Sequence, residues 1–261
     1  MSKQTALITG ASSGIGYEFA QLFAKNGHDL ILVARGEAKL RELAQSLASQ
    51  YNIKATVLPK DLAHPNAPVE IFADLQQQGI EVDILVNNAG FASYGLFHEL
   101  ETAKELEMIQ VNVLALTHLA RLFLPGMVTR RTGRILNVAS TAAFQPGPLM
   151  AVYYATKAFV LSFSEAIANE LEGTGVTVTA LCPGPTASGF QTRAAMQDSK
   201  LVQSGLMTTT DVVQQGYSAL MQGQTVVIPG WSNKIGALAT RFVPRQMTAR
   251  LVRRMQERTR H

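Results

Sequence analysis

The sequence is poor in the residues that specialised sites need. One cysteine, Cys182, stands in 261 residues, so no intrachain disulfide can form, and an oxidising compartment finds no support. The five histidines (His28, His64, His98, His118, His261) show no ligand spacing with one another or with Cys182, which argues against a structural zinc site. Charge is scarce as well, at 16% of residues against 47% hydrophobic. Residues 135–156, 173–192 and 212–233 carry no charge at all, yet Gly, Pro, Gln or Asn interrupts each stretch, and none reads as a transmembrane helix. The apolar run behind Lys3 stops at Gly10, too short for a signal-peptide core. A soluble cytoplasmic protein is the expectation.

Net charge is +4 and the sequence pI about 9.3, a balance that invites a polyanion partner only where the positive charge is clustered. It is clustered at one end. Residues 241–261 hold seven arginines (Arg241, Arg245, Arg250, Arg253, Arg254, Arg258, Arg260) against Glu257, a local charge of +6, and the preceding 240 residues sum to −2. No basic patch continues into the body, so nucleic acid is not expected as a partner.

Short β-branched runs recur at 6–9, 30–34, 55–58, 84–87, 135–139, 176–181 and 225–228. Their hydrophobicity is continuous rather than alternating, as strands covered on both faces require. Helical patterns lie between them: Phe19, Leu22 and Phe23 form one face that Gly27 would end, and Leu40, Leu43, Leu47 and Ala48 form another. Repeated β-α order predicts an α/β fold, a single doubly wound Rossmann-type domain with a seven-stranded parallel sheet and helices on both faces. A chain of this length fits one such unit over residues 1–230, followed by a basic helical extension at 231–261.

Thr9-Gly10-Ala11-Ser12-Ser13-Gly14-Ile15-Gly16 follows the first strand and opens the first helix. Three glycines there allow a tight turn, close approach of a pyrophosphate to main-chain N–H groups, and close helix packing. Tyr153 and Lys157 are four apart in a helical segment, on one face. A neighbouring ammonium favours the phenolate, which lowers the tyrosine pKa and makes proton exchange with an alcohol oxygen feasible. Ser140, at the end of the fifth strand, can donate to the same oxygen. Tyr154 is the rival phenol, but Ala158 stands four residues on, so it lacks a lysine partner.

The G-x-x-x-G-x-G spacing, with Asn87-Asn88-Ala89-Gly90 after the fourth strand, Ser140 after the fifth, Tyr153 thirteen residues later, Lys157, and Pro183-Gly184 after the sixth, resembles the short-chain dehydrogenases/reductases. The resemblance covers about residues 3–230. It implies that Tyr153 is the general acid in carbonyl reduction, that Ser140 polarises the carbonyl, and that Lys157 also binds the nicotinamide ribose. Asn112 matches the family's asparagine, which holds a water linking the lysine to solvent. The resemblance further implies cofactor contacts from Gly10, Ser12, Ser13, Gly14, Ile15 and Gly16, from Asp61 and Leu62, from Asn88, Ala89 and Gly90, and from Pro183, Gly184 and Thr186. Asp61 is also a candidate helix N-cap.

Where family members selective for NAD place an acid, the second strand ends Val33-Ala34-Arg35. A guanidinium there suits a 2′-phosphate, so the expected cofactor is NADP(H). Phe91, Tyr94, Phe144, Leu149, Met150 and Phe190 are expected to make an apolar substrate pocket, with Arg193, Asp198 and Lys200 as its few charges. A lipophilic ketone or aldehyde fits such a pocket. The expected function is NADPH-dependent reduction of that carbonyl to an alcohol, and a homo-oligomer, dimer or tetramer, is implied by the resemblance. The alternative is a non-catalytic NADP(H)-binding regulator or a membrane-tethered interaction protein on the same fold. For the tail, two stripes stand out: Ile235, Leu238, Ala239 and Phe242, then Met247, Leu251 and Met255 beyond Pro244. Three readings stay open for them: docking on the body or a second subunit, peripheral contact with an anionic membrane, or a solvated helix.

Overall fold

A computed structural model describes residues 3–190, 194, 206–240 and 242–257. Arg193, Asp198, Lys200, Arg241, Arg258 and Arg260 therefore lie outside the described residues. The strands are β1 (Thr5–Thr9), β2 (Asp29–Ala34), β3 (Ala55–Pro59), β4 (Ile84–Asn87), β5 (Gly133–Val138), β6 (Val176–Leu181) and β7 (Val226–Val227). The helices are α1 (Gly14–Lys25), α2 (Glu37–Tyr51), α3 (Ala67–Gln77), α4 (Thr102–Ile109), α5 (Leu116–Arg130), α6 (Ala151–Glu170), α7 (Thr209–Met221), α8 (Trp231–Ala239) and α9 (Arg245–Gln256).

All pairings are parallel, in the order β3-β2-β1-β4-β5-β6-β7. Winding runs outward from β1 in one direction and from β4 in the other. The crevice beyond the carboxyl ends of β1 and β4 is thus the topological switch point where this fold takes its ligand.

Successive residues of each strand enter opposite cores. Ala6 and Ile8 of β1 meet Phe19 and Phe23 of α1, Leu40 of α2 and Val212 of α7. Leu7, between them, meets Ile71 of α3 and Leu119 and Phe123 of α5. Both faces are covered, which is why the strands read as unbroken apolar runs. In α2 the buried small residue is Ala44, while Ala48 is half-buried. Gly27 adopts φ +80 just past the end of α1, a left-handed position that suits glycine.

A π-helical turn, Gln110–Ala115, joins α4 to α5. The whole run Thr102–Arg130 is long and apolar enough to cross a membrane by length and composition. In this fold it buries Met108, Val111, Ala115, Leu119, Ala120, Phe123 and Met127. It serves as a core helix, lying along the sheet.

The tail forms the two expected helices but buries the other face. Thr248, Val252 and Gln256 of α9 are covered, whereas Met247, Leu251 and Met255 are exposed. In α8 only Ala237 is buried, and Ile235, Leu238, Ala239 and Phe242 face outward. Docking on the chain's own body accounts for the first stripe of α9. The more apolar stripe is left outside.

Candidate active site

Positive φ values of +67 at Gly10 and +56 at Gly14 turn the chain sharply after β1. Gly16 has no room for a side chain: a Cβ would lie 2.3 Å from the Gly10 carbonyl oxygen and 2.4 Å from Asn88 Nδ2. The loop is held open by its neighbour across the switch point. Asn88 Nδ2 donates to the Thr9 carbonyl at 2.8 Å, and Thr9 Oγ1 accepts from the main-chain N–H of Asn88 and of Ala89, each at 3.0 Å. Asn88 is therefore the brace of the glycine loop.

One cleft of about 830 Å³ runs from this loop past the ends of the central strands. Gly10, Ser12, Ser13, Gly14 and Ile15 of the glycine loop line it with Asn88, Ala89, Gly90, Leu62, Pro183, Gly184 and Thr186, together with Ser140, Tyr153 and Lys157, whereas Gly16 does not line the cleft and packs against Gly10 and Asn88 instead. Asp61 lines it too, and its Oδ1 accepts from Ala63 N at 3.1 Å. The N-cap of α3 is Asn66, so Asp61 forms a local turn and is not the cap of that helix.

Arg35 reaches the cleft with two further cations, Lys39 and Lys60. Lys60 is bridged to Glu70 at 2.9 Å and Asp74 at 3.2 Å, and the Glu70 contact chiefly raises its pKa. Among the described residues Arg35 and Lys39 form no ion pair. The sequence reading had Arg35 alone. Lys39 stands in the first turn of α2, four residues on from Arg35, and no motif marks it in the sequence.

Ser140 lies two residues beyond β5 and caps the following 3₁₀ turn, its Oγ accepting from Ala142 N at 3.1 Å. Tyr153 and Lys157 project from the first turns of α6, both buried. Lys157 Nζ donates to the Val138 carbonyl at 2.7 Å and stands 5.8 Å from the centre of the Tyr153 ring. Phe190 packs on Tyr153 with ring centres 5.4 Å apart.

The electrostatics correct one expectation. Burial raises the Tyr153 pKa above the ordinary phenol value, and the Ser140 hydroxyl only partly offsets it. Burial also lowers Lys157 to about 8. Tyr153 is therefore a phenol at neutral pH, as an unperturbed tyrosine is, and burial holds it further from ionisation rather than nearer to it.

Asn112 is carried by the π turn, a distortion common at functional positions. Its Oδ1 accepts from Phe91 N at 3.1 Å, and its Nδ2 donates to Phe91 O at 3.0 Å and Thr156 Oγ1 at 3.1 Å. The carboxamide thus fixes the Gly90–Phe91 backbone beside α6. A Cβ on Gly90 would lie 3.0 Å from Asn112 Oδ1 and 3.7 Å from Lys157 Nζ, so the asparagine and the lysine flank one glycine.

On the substrate side, Phe91, Met150 and Phe190 line the cleft as expected. Phe144 instead packs with Val160 and Leu161 in a separate core cluster. Leu149 holds φ +70, a strained position for a branched residue, and its carbonyl accepts from Gly95 N at 2.9 Å. Tyr94 donates its hydroxyl to the Gln256 main-chain oxygen at 2.5 Å. Glu101, Lys104 and Glu107 of the α4 region add charge at the rim. Gln256 itself, from the far end of the tail, lines the cleft; no motif marks it in the sequence.

This arrangement fits a dinucleotide along the glycine loop and a carbonyl compound against Ser140 and Tyr153. Residues 4–199 match the short chain dehydrogenase family. The chain belongs to that family. It is 35% identical over 241 residues to a very-long-chain 3-oxoacyl-CoA reductase of Pyrenophora tritici-repentis, covering 88% of this chain and 63% of that protein. It spans 52 to 63% of the length of the first such reductases it matches. Among solved structures, a short-chain dehydrogenase from Sphingobium yanoikuyae in complex with NADPH shares 34% identity, with a TM-score of 0.83 over 92% of this chain and 93% of that one. A bulky-bulky ketone specific alcohol dehydrogenase from Comamonas testosteroni shares 29% identity, with a TM-score of 0.79 over 93% of each chain.

Proposed function

We propose that this protein is an NADP(H)-dependent reductase that converts a lipophilic ketone or aldehyde to its alcohol, reversibly. The observation that carries this reading is the single cleft that joins Arg35 and the glycine loop at one end to Ser140, Tyr153 and Lys157 at the other. The NADPH-bound Sphingobium relative and the ketone-specific Comamonas relative support it.

The glycine loop offers main-chain N–H groups to a pyrophosphate, and Arg35 with Lys39 suits a ribose 2′-phosphate. When bound, the reduced nicotinamide supplies the hydride. Ser140 donates a hydrogen bond to the substrate oxygen and holds the carbonyl in place. Tyr153, protonated at neutral pH, gives its proton to that oxygen as negative charge develops there. The phenolate left behind is stabilised by Ser140 and by the Lys157 ammonium. Asn112 keeps the Phe91 backbone, and with it one wall of the substrate site, in register with α6.

We further propose that the protein works in the cytoplasm as a homo-oligomer. The helical run of α4 and α5 presents Leu106 and Leu114 outward, and α6 presents Phe159, stacked on Phe163 at 5.8 Å. Light scattering is expected to show a dimer or tetramer that Phe159→Arg breaks down; a monomeric wild type would count against this part.

The deciding experiment is NADPH oxidation measured against ketones and aldehydes graded by chain length and ring content. Turnover that rises with lipophilicity is expected. No turnover across the panel, with NADPH still bound, would replace the reductase by a cofactor-binding regulator.

A further inference from the structure

The C-terminal helix α9 reaches back over the body and enters the apolar cluster around the catalytic tyrosine. Val252 packs there with Met108, Ala142, Met150, Tyr153 and Tyr154. One turn on, Gln256 is 1% exposed and lines the active-site cleft on the side of Met150, Tyr154 and Phe190. Two tyrosines of the body hold it. Tyr94 donates to its main-chain oxygen at 2.5 Å, and Gln256 Nε2 donates to Tyr154 Oη at 2.6 Å.

The side-chain oxygen of Gln256 is buried with no hydrogen-bond partner among the described residues. Burial of Tyr154, whose pKa is pushed up to about 12, shows how dry this corner is. A side chain fixed from both ends in the wall of the reaction cleft bounds the space that the cleft offers a substrate.

We propose that Gln256 is a specificity-determining residue: α9 closes the substrate side of the cleft, and the length of the Gln256 side chain sets how bulky a carbonyl compound fits against Ser140 and Tyr153. This rests on the reductase reading above and names the element that limits its substrate. Gln256 touches no reacting atom; it acts by occupying space that a larger substrate would need.

The test is a series of ketones of increasing bulk, with kcat and KM measured separately for wild type, Gln256→Ala and Gln256→Met. A methylene-sized change in such a pocket shifts discrimination by about tenfold or more. Gln256→Ala is expected to raise kcat/KM for bulky over small ketones by about tenfold, mainly through KM. Gln256→Met keeps the side-chain length and is expected to keep the wild-type profile within about threefold. A Gln256→Ala profile parallel to wild type, or a Gln256→Met profile that shifts as far as that of Gln256→Ala, would overturn the proposal. Thermal-shift titration of the same ketones reads the same order without turnover. Lack of turnover by wild type on every ketone refutes the reductase reading, whereas turnover without the Gln256→Ala shift refutes only the role of Gln256.

Discussion

Lys157 spends its ammonium on the main chain: Nζ donates to the Val138 carbonyl at 2.7 Å, at the end of the strand that delivers Ser140. The bond ties α6 to β5 and aims the charge at Tyr153, in a place where burial lowers the lysine to about 8. Because burial disfavours the charged form, the folded protein releases this proton near pH 8 and the unfolded chain near 10.5. The lysine therefore costs most stability below pH 8, and the cost fades as pH rises to 10.5. Replacement by an apolar residue of similar shape should show this. Lys157→Met is expected to be more stable than wild type at pH 7 and inactive. The change in their stability difference between pH 7 and 10.5 should approach about 3 kcal/mol, while the lost hydrogen bond lowers the variant's advantage by about 1 kcal/mol equally at every pH. Denaturant midpoints measured in parallel across that range give the answer; a difference that does not vary with pH would remove the buried ammonium from the account.

Tyr153→Phe deletes the proton donor and leaves the ring on Phe190. Turnover should fall by about a thousandfold, whereas NADPH affinity, measured by fluorescence titration, should stay within about threefold. Retained turnover would shift the acid role to another group. Tyr154→Phe is the matched control, since its hydroxyl faces Gln256; it should keep turnover within about tenfold.

Arg35 and Lys39 line the cleft without ion pairs among the described residues, unlike Lys60. Arg35→Asp places a carboxylate where a 2′-phosphate would lie and should reverse a preference for NADPH over NADH. Lys39→Ala should weaken NADPH binding by about tenfold and leave NADH binding alone, as one charge-assisted hydrogen bond predicts. Equal efficiency with both cofactors in wild type, or an unchanged preference in Arg35→Asp, would refute the assignment.

The sequence displayed most of this site because its geometry is local. Glycines at 10, 14 and 16 must sit between a strand and a helix, and Tyr153 and Lys157 share a face by helical period alone. The seven strands were visible for a related reason: a sheet covered on both sides has no polar alternation to hide it. What stayed hidden depends on distant contacts. In α9 the apolar stripe Met247, Leu251 and Met255 left docking, membrane contact and solvation all open, and the face that docks is the one with Thr248, Val252 and Gln256, which meets Tyr94 and Tyr154 across the cleft. The direction of the Tyr153 shift was equally out of reach, since spacing places the ammonium nearby but says nothing of how deeply both groups are desolvated. The π turn at Asn112 left no mark either, as nothing in Gln-Val-Asn-Val-Leu-Ala breaks a helical pattern.

Two glycines in helices test the close approach at the switch point. Gly236, in α8, has nothing within 4 Å of where a Cβ would go, whereas at Gly16 that atom would strike the Gly10 carbonyl at 2.3 Å and Asn88 Nδ2 at 2.4 Å. Gly236→Ala should stabilise the protein by about 0.5–1 kcal/mol, through helix propensity and a less flexible unfolded chain. Gly16→Ala gains the same propensity and loses far more, because main-chain and brace atoms must move together. A net loss of about 1–3 kcal/mol is expected. The damage should also reach the cofactor, since displacing Asn88 releases its 2.8 Å bond to Thr9 and opens the loop. NADPH affinity in Gly16→Ala should fall at least about tenfold, with Gly236→Ala unchanged. Calorimetric melting and NADPH titration on the two variants separate these effects, and a Gly16→Ala protein with wild-type affinity would show that the loop does not need its brace.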